Sequence, residues 1–188
     1  MGADPQLGWA GGGGGRRITA EISGSGDFDL GNSPREMIPG PVSGRQLAMT
    51  TTNGTRALKA CAGAQRVWLG CFLNLSVLGQ AIRDCQPEQL LLVCAGTGYN
   101  SALEDVLGAG ASCDFLWNDL GQAASDAARL ARDHYYNSCD QLLKNASQAA
   151  NARRLFGIES LAKDVPFCFR RDTFPVIGEM GDQGWVSA

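Results

Sequence analysis

Positive charge is scarce in this 188-residue sequence. Its 16 Lys and Arg residues are outnumbered by 19 Asp and Glu residues, which gives a formal net charge of −3 at pH 7. Proteins that bind nucleic acid regardless of its sequence need a basic surface to neutralise phosphates, so that class of function is excluded. A small anionic ligand must be held by a few local cations instead.

Long apolar runs are absent as well. No window approaches the ~18 uninterrupted apolar residues that a membrane-spanning helix requires. The start of the sequence also lacks the charged residues and apolar stretch of a secretory signal. We therefore expect a cytoplasmic protein without a membrane partner.

The sequence has little that could build a cysteine or histidine metal site. Its seven cysteines are never closer than nine positions, which excludes a C-x-x-C zinc or redox pair. Its single histidine, His134, cannot form a histidine-based metal cluster. We expect the cysteines to be free thiols, most of them buried.

Apolar periodicity is missing from residues 1–26, which include consecutive glycines at 11–15. Such a composition is typical of a flexible leader. The glycines are followed by Arg16 and Arg17 rather than by the Lys-Ser/Thr pair of a phosphate-binding loop. We predict one ordered domain over residues 27–188.

From residue 46 onward, short apolar runs alternate with amphipathic segments. The runs predict strands at 46–52, 66–71 and 89–94. The amphipathic segments predict helices at 55–62, 76–84, 101–107 or beyond, 122–132, 135–145 and 149–155. This alternation is typical of a largely parallel sheet covered on both faces, so the expected fold is a three-layer α/β/α sandwich. The apolar run at 90–93 predicts a strand buried on both faces.

Three polar turns follow the predicted strands, at residues 50–56, 70–76 and 95–105. Ligands bind at the carboxyl ends of strands in open sheets, so these turns are expected to meet at one edge. The first turn carries groups that suit an oxyanion: Thr51, Thr52, Asn53, Gly54, Thr55 and Arg56. The alternative is that Asn53-Gly54 is only a tight turn.

The glycines of the third turn allow a second interpretation. Residues 96–101 follow a predicted strand and half-match the dinucleotide fingerprint G-x-G-x-x-G/A. That fingerprint also needs an acidic residue ~20 positions later, at the end of a strand. Asp114 lies at about that distance but precedes an apolar run. A nucleotide-binding module is therefore kept as an alternative.

Two adjacent carboxylates follow the same turn. Ser101 and Glu104 have the S-x-x-E spacing of a capping box, which predicts a structural role for Glu104. Alternatively, Glu104 and Asp105 at the start of a helix can hold a hard cation such as Mg²⁺, with Asp126 as a third ligand. The alternative for Asp126 is a favourable charge at a helix N-terminus.

Six short segments occur in a defined order. They are Asp-Leu-Gly-Asn-Ser-Pro at 29–34, Thr-Thr-Asn-Gly-Thr-Arg-Ala-Leu at 51–58, Leu-Asn-x-Ser at 73–76, Ser-x-Leu-Glu-Asp-Val at 101–106, Ser-Asp at 125–126 and Arg-Arg-Leu at 153–155. Together they resemble the 2-phosphosulfolactate phosphatase family. The resemblance implies a three-layer α/β/α, Mg²⁺-dependent hydrolase. It would convert 2-phospho-3-sulfolactate to 3-sulfolactate and phosphate, in a pathway toward coenzyme M or related sulfonates.

On this hypothesis the polar residues form three groups. The catalytic group comprises Glu104, Asp105 and Asn53. The substrate-binding group comprises Thr51, Thr52, Gly54, Thr55, Arg56, Asn74, Arg153 and Arg154. The Mg²⁺ ligands are Glu104, Asp105 and Asp126.

Members of this family open with a strand and an Asp-Val-Leu-Arg-Ala-Thr-type turn, to which nothing in this sequence corresponds. We therefore expect the opening strand to be missing and a sheet edge to be uncovered, which favours pairing with a second copy. The alternative to an active enzyme is then an inactive remnant of the family.

Overall fold

A computed structural model of the chain describes residues 18–20, 29–120, 123–181 and 183–188. Its strands are short: β1 (Ile18–Ala20), β2 (Leu47–Met49), β3 (Trp68–Leu69), β4 (Gly178–Met180) and β5 (Val186–Ser187). Its helices are α1 (Pro39–Val42), α2 (Gly54–Ala60), α3 (Leu75–Cys85), α4 (Leu103–Phe115), α5 (Trp117–Leu120), α6 (Asp126–Tyr136), α7 (Leu142–Ala146), α8 (Ala150–Phe156) and α9 (Asp164–Cys168). No helix in these ranges is long and apolar enough to cross a membrane.

The chain divides into two compact units. Of the described residues, the first unit comprises 18–20, 29–32 and 36–50, and the second comprises 33–35 and those between 51 and 188. In the first unit, β1 and β2 pair in parallel, with Ile18 opposite Leu47. The strand predicted around β2 is therefore confirmed.

β1 falls inside the segment predicted to be a flexible leader. The remainder of that leader, residues 1–17 and 21–26, lies outside the described residues. The prediction of an unstructured leader is therefore wrong for residues 18–20, because their backbone pairs with β2.

The second unit is built from amphipathic helices. In α3, the buried residues Leu75, Leu78, Gly79 and Ile82 follow the spacing of one helix face. That face packs toward the end of α4, where Leu116 is buried beside Leu78 and Ile82. The predicted helix at 76–84 is confirmed as α3 because this apolar stripe has a partner to cover it.

α4 is the centre of the main core. Leu107 is completely buried and packs with Phe72, Leu75 and Tyr135 from three other segments. The main core of this unit therefore forms around one 13-residue helix.

α4 and α6 cross at a glycine. A Cβ atom on Gly110 would overlap with the carbonyl oxygen of Ala131 and crowd Tyr135 of α6. A glycine inside a helix usually costs ~0.5–1 kcal/mol relative to alanine. Here the missing side chain lets the two backbones approach each other.

The second unit also contains a small antiparallel sheet. β3 pairs with β4, with Trp68 opposite Glu179, and β4 pairs with β5. The indole Nε1–H of Trp68 donates a hydrogen bond of 2.9 Å to the carboxylate of Glu179 across this pairing.

The structure is mixed α/β, but the predicted three-layer sandwich with a largely parallel sheet is not found in the described residues. The only parallel pairing there joins β1 to β2, and the other sheet is antiparallel. The predicted buried strand at 89–94 was wrong: this segment joins no ladder, and the side chain of Leu91 is 82% exposed. β3 pairs with β4.

The helix predicted at 135–145 is also wrong. α6 ends at Tyr136, a 3₁₀ turn spans Cys139–Gln141, and α7 begins at Leu142. Ser138, buried at this corner, breaks the helix and donates its backbone N–H to the carbonyl of Tyr135.

Replacing Gly110 should test the close approach of α4 and α6. We expect Gly110→Ala to lower the free energy of unfolding by ~1–3 kcal/mol or more, because the added methyl group must push the helices apart. Gly108→Ala is the matched control, since nothing lies within 4 Å of the new Cβ atom. It should stabilise the protein by ~0.5–1 kcal/mol. Equal effects of the two changes in urea unfolding would contradict this packing.

Candidate functional site

The turn at residues 96–100 has a tight, glycine-dependent backbone. Thr97 and Asn100 exchange two backbone hydrogen bonds, of 2.9 and 3.1 Å. Gly96 and Gly98 both have positive φ angles, of 69° and 63°. A Cβ atom on Gly96 would also lie 2.6 Å from the carbonyl oxygen of Asn100. The predicted glycine turn is therefore a conformation that L side chains rarely adopt.

Two side chains hold the backbone of this turn. The side-chain oxygen of Asn53, the residue before α2, accepts a hydrogen bond of 3.0 Å from the Gly98 N–H. The carboxylate of Asp105, in the first turn of α4, accepts one of 2.6 Å from the Gly96 N–H. The first and third polar turns of the sequence therefore do meet, as predicted.

A third side chain comes from α8. The amide nitrogen of Asn151 donates hydrogen bonds to the hydroxyl of Thr97, at 2.7 Å, and to Oε1 of Glu104, at 2.6 Å. We call Asn53, residues 96–100, Glu104, Asp105 and Asn151 the turn cluster. It joins polar groups from α2, α4 and α8 around one turn.

A cation lies beside the turn cluster. The guanidinium of Arg56 stacks on the ring of Tyr99, 5.4 Å from the ring centroid. Both side chains are exposed, and Tyr99 is 96% exposed. The positive charge of Arg56 is therefore accessible to an anion at the turn.

The cluster also concentrates negative charge. Burial raises the pKa of Asp105 above its ordinary value. The hydrogen bonds from the N–H groups of Gly96 and Ala95 oppose that rise, and the neighbouring charge of Glu104 adds to it. A cation or a cationic side chain at this position would relieve the repulsion between the two carboxylates.

The threonines of the first turn have mainly a structural role. The hydroxyl of Thr51 accepts a hydrogen bond of 3.0 Å from the Thr55 N–H. The hydroxyl of Thr55 in turn donates to the carbonyl of Thr51, at 2.8 Å. Thr51 and Thr55, both predicted to bind the substrate, therefore bond to each other at the start of α2. Thr52 and Gly54 are exposed beside them.

Asn74 is not placed for substrate binding. It is 7% exposed, and its amide nitrogen donates to the carbonyls of Leu69 and Val176 at 3.1 and 3.0 Å. Its side-chain oxygen accepts from the Cys71 N–H. All its polar atoms therefore bind backbone, which makes Asn74 a brace between β3 and the segment before β4.

The capping box predicted at Ser101 and Glu104 is wrong. Ala102 precedes the first residue of α4, and it provides no side-chain cap. Glu104 binds Asn151 instead of reaching back to its own helix start. Glu104 is thus bonded to Asn151, 47 positions away in the sequence, and not to the nearby start of its own helix.

The structure does not bring Asp126 to the two other predicted metal ligands. α4 and α6 are antiparallel, because Leu107 packs with Tyr135 near the end of α6, whereas Asp114, further along α4, pairs with the earlier residue Arg132 at 3.0 Å. Asp126 begins α6 and therefore lies near the end of α4, whereas Glu104 lies at its start. About 18 Å of helix separates the two ends, at 1.5 Å per residue.

Asp114 is equally unsuited to the dinucleotide interpretation. It lies in the last turns of α4, and its carboxylate is paired with Arg132. The strand that should precede residue 96 is not formed either. The dinucleotide-binding alternative therefore lacks both the strand before the glycine turn and the acidic residue at a strand end that it requires.

The two arginines predicted to bind the substrate are exposed on α8. Arg153 donates to the backbone carbonyl of Gln148. Arg154 follows Asn151 by three positions, so it lies on the same side of the helix. Arg154 therefore lies nearer than Arg153 to the side of α8 that carries Asn151.

Sequence reasoning missed Asn151, Thr97 and Tyr99. Thr97 and Tyr99 lie within a turn that was singled out for its glycines. Asn151 lies 47 and 54 positions from its two partners. Only its place two residues before the arginine pair pointed to this segment.

Comparisons with known proteins bear on this site. A profile of the family described as 2-phosphosulpholactate phosphatase matches residues 15–183. The chain belongs to the 2-phosphosulfolactate phosphatase family. The resemblance drawn from the six ordered segments is therefore confirmed.

Individual relatives of this 2-phosphosulfolactate phosphatase family agree. A probable 2-phosphosulfolactate phosphatase of Caldanaerobacter subterraneus subsp. tengcongensis is 35% identical over 173 residues, which cover 88% of this chain and 67% of the relative. Those of Thermotoga petrophila and Thermus thermophilus are 38% and 37% identical, covering 80% and 75% of this chain. The chain spans 63% and 59% of the length of these two relatives.

The donor atoms of the turn cluster decide whether this family member can hold Mg²⁺ there. Asp105 already accepts the backbone N–H of Gly96, whereas Glu104 uses only Oε1 within the described structure. Mg²⁺ is commonly held by one or two carboxylates together with water and substrate phosphate. Glu104 fits that role. No group of three or more His, Cys, Asp or Glu residues suited to a metal occurs in the described part of the chain.

The raised pKa of Asp105 predicts how stability depends on pH. The folded state binds this proton more readily than the unfolded state, so the ionised carboxylate costs stability at neutral pH. That cost is relieved as pH falls through the folded pKa toward the unfolded value. Asp105→Asn keeps an acceptor for Gly96, so its Tm should equal or exceed that of the wild type at pH 7. Its advantage should shrink toward pH 4.

Thermal unfolding between pH 4 and 8 measures this effect. Asp126→Asn, at the exposed start of α6, controls for the loss of one negative charge. A constant Tm difference between Asp105→Asn and the wild type across this range would show that the carboxylate is not strained by burial.

Proposed function

We propose that this chain is a phosphatase that hydrolyses 2-phospho-3-sulfolactate to 3-sulfolactate and phosphate, and that it requires Mg²⁺. Family membership and the names of the relatives support the reaction. The observation that carries the proposal is the turn cluster, which gathers the Glu104 carboxylate, an amide and the hydroxyl of Thr97 beside the exposed charge of Arg56.

The phosphate would be held by groups that the fold leaves available. Arg56 can bind two phosphate oxygens at once through its planar guanidinium. In the described structure, Asn53 uses its side-chain oxygen for Gly98 and leaves its Nδ2 hydrogens for a third oxygen. The uncapped start of α4 adds backbone N–H groups and a favourable dipole for an anion.

Glu104 would act on the attacking water. Its Oε1 is held by Asn151, and its Oε2 has no partner within the described residues. A carboxylate in this state can accept a proton from water while the water oxygen attacks phosphorus. The phosphorus–oxygen ester bond then breaks, and the sulfolactate oxygen takes up the proton that Glu104 received from the water.

Mg²⁺, when bound, would neutralise charge on the phosphate oxygens and orient the attacking water. Glu104 would hold it through one lone pair of Oε2, and the other lone pair of this oxygen would remain for the proton of the attacking water. Asp105 would contribute mainly through its negative charge, because its carboxylate is engaged with the backbone of the turn.

The sulfonate and carboxylate of the substrate need further cations, since the protein has a net charge of −3. Arg154 is the better placed of the two predicted arginines because it shares a side of α8 with Asn151. Sulfolactate released by this reaction would be available to sulfonate biosynthesis of the coenzyme M type.

Phosphate release is the direct test of the reaction. The purified chain should release inorganic phosphate from 2-phospho-3-sulfolactate in the presence of Mg²⁺ and stop releasing it in excess chelator. Restoring Mg²⁺ should restore the rate. Full activity in chelator would contradict the metal requirement. No release of phosphate under any of these conditions would favour an inactive remnant of the family.

Arg56→Ala should weaken turnover with little loss of stability. A hydrogen bond to a charged group contributes ~1.5–3 kcal/mol, which corresponds to about a 10- to 150-fold loss of kcat/KM. Arg170→Ala is the matched control, because Arg170 likewise stacks on a ring, that of Phe167, at 5.3 Å. A lower Tm with unchanged kinetics in Arg56→Ala would assign Arg56 to stability alone.

A further inference from the structure

We infer that Asn151 is a positioning residue that orients the Glu104 carboxylate and the hydroxyl of Thr97 for the reaction. The inference rests on the proposed function above. It concerns a residue outside the six segments on which the family resemblance was drawn.

The hydrogen bonds of Asn151 define its orientation. An amide nitrogen carries two hydrogens, and Asn151 has two acceptors at 2.6 and 2.7 Å. A flipped amide would turn its oxygen toward the Glu104 carboxylate, which can only accept, and would lose the bond to Glu104. The bond to the carboxylate is charge-assisted and therefore the stronger of the two.

The backbones on both sides of this contact are fixed by one apolar cluster. Ala152, the residue after Asn151, is buried with Ala149 and Val165, and Leu103, the residue before Glu104, packs against them. The start of α4 and α8 are therefore held together next to the hydrogen bond. Asn151 can set the position of Glu104 because its own helix is anchored.

The contact leaves the reactive groups available. Binding of Oε1 restricts the rotation of a flexible Glu side chain and leaves Oε2 for water or Mg²⁺. The Thr97 hydroxyl accepts from Asn151, so its own hydrogen remains for a phosphate oxygen. Holding reacting groups in place before the chemical step lowers the barrier to reaction.

Kinetics of Asn151 variants test the inference. We expect Asn151→Ala to lower kcat by about 10- to 100-fold, the loss typical of a group that supports a catalytic ligand, with KM changed much less. Asn151→Asp has the same shape but faces Glu104 with a like charge, so it should be at least as impaired. Asn145→Ala, a half-buried amide on α7 bonded to a backbone carbonyl, should retain full activity. Wild-type kcat in Asn151→Asp would overturn the inference.

A double variant shows whether Asn151 acts through Glu104. If it does, Asn151→Ala combined with Glu104→Gln should lose no more activity than Glu104→Gln alone. Multiplied losses in the double variant would mean that the two residues act independently, which contradicts the inference.

Amide hydrogen exchange separates this inference from the proposed function. In Asn151→Ala, exchange at Gly98 and Asn100 should accelerate, while exchange in the middle of α4 and the Tm stay at wild-type values. This readout needs no substrate. If the wild type released no phosphate, unchanged exchange in the turn would overturn the positioning role, and local acceleration would support it.

Discussion

The turn at residues 96–100 depends on side-chain hydrogen bonds for its position. Within the described structure it is bonded to no strand, and its only backbone pairing is internal, between Thr97 and Asn100. Asn53, Asp105 and Asn151 hold it from three different helix starts. The candidate site therefore exists only when α2, α4 and α8 are all in place.

α4 connects this site to the core of the second unit. Its first turn carries Glu104 and Asp105, its middle is buried at Leu107, and Gly110 brings it against α6. Core packing and the geometry of the carboxylates are thus linked through one rigid element. Buried apolar area stabilises the helix, while the partly buried charge of Asp105 costs stability that the packing must offset.

Local patterns predicted the local elements. The apolar stripe of α3 and the turn chemistry before α2 could both be recognised from nearby residues. The polar turns at 50–56 and 95–105 were also identified as site segments, and they meet at the Asn53–Gly98 contact. Family membership followed from the order of short segments, although no single segment decided it.

Long-range contacts explain what the sequence could not predict. The apolar run at 90–93 indicated a central strand, yet strand pairing depends on neighbours that periodicity does not reveal. Ser101 and Glu104 satisfied the spacing of a capping box, but Asn151 offered Glu104 a better partner from 47 positions away. Asp126 has the chemistry of a metal ligand, but it lies at the start of α6, near the opposite end of α4 from Glu104.

The most direct test of the central claim is to map where an anion binds. Inorganic phosphate, with and without Mg²⁺, should be titrated into the protein while backbone amide signals are followed by NMR. We expect the largest shifts at residues 96–101 and at Arg56, and we expect Asn151→Ala to reduce them. Shifts confined to the separate cleft beside Trp68 and Glu179, with the turn unaffected, would contradict it.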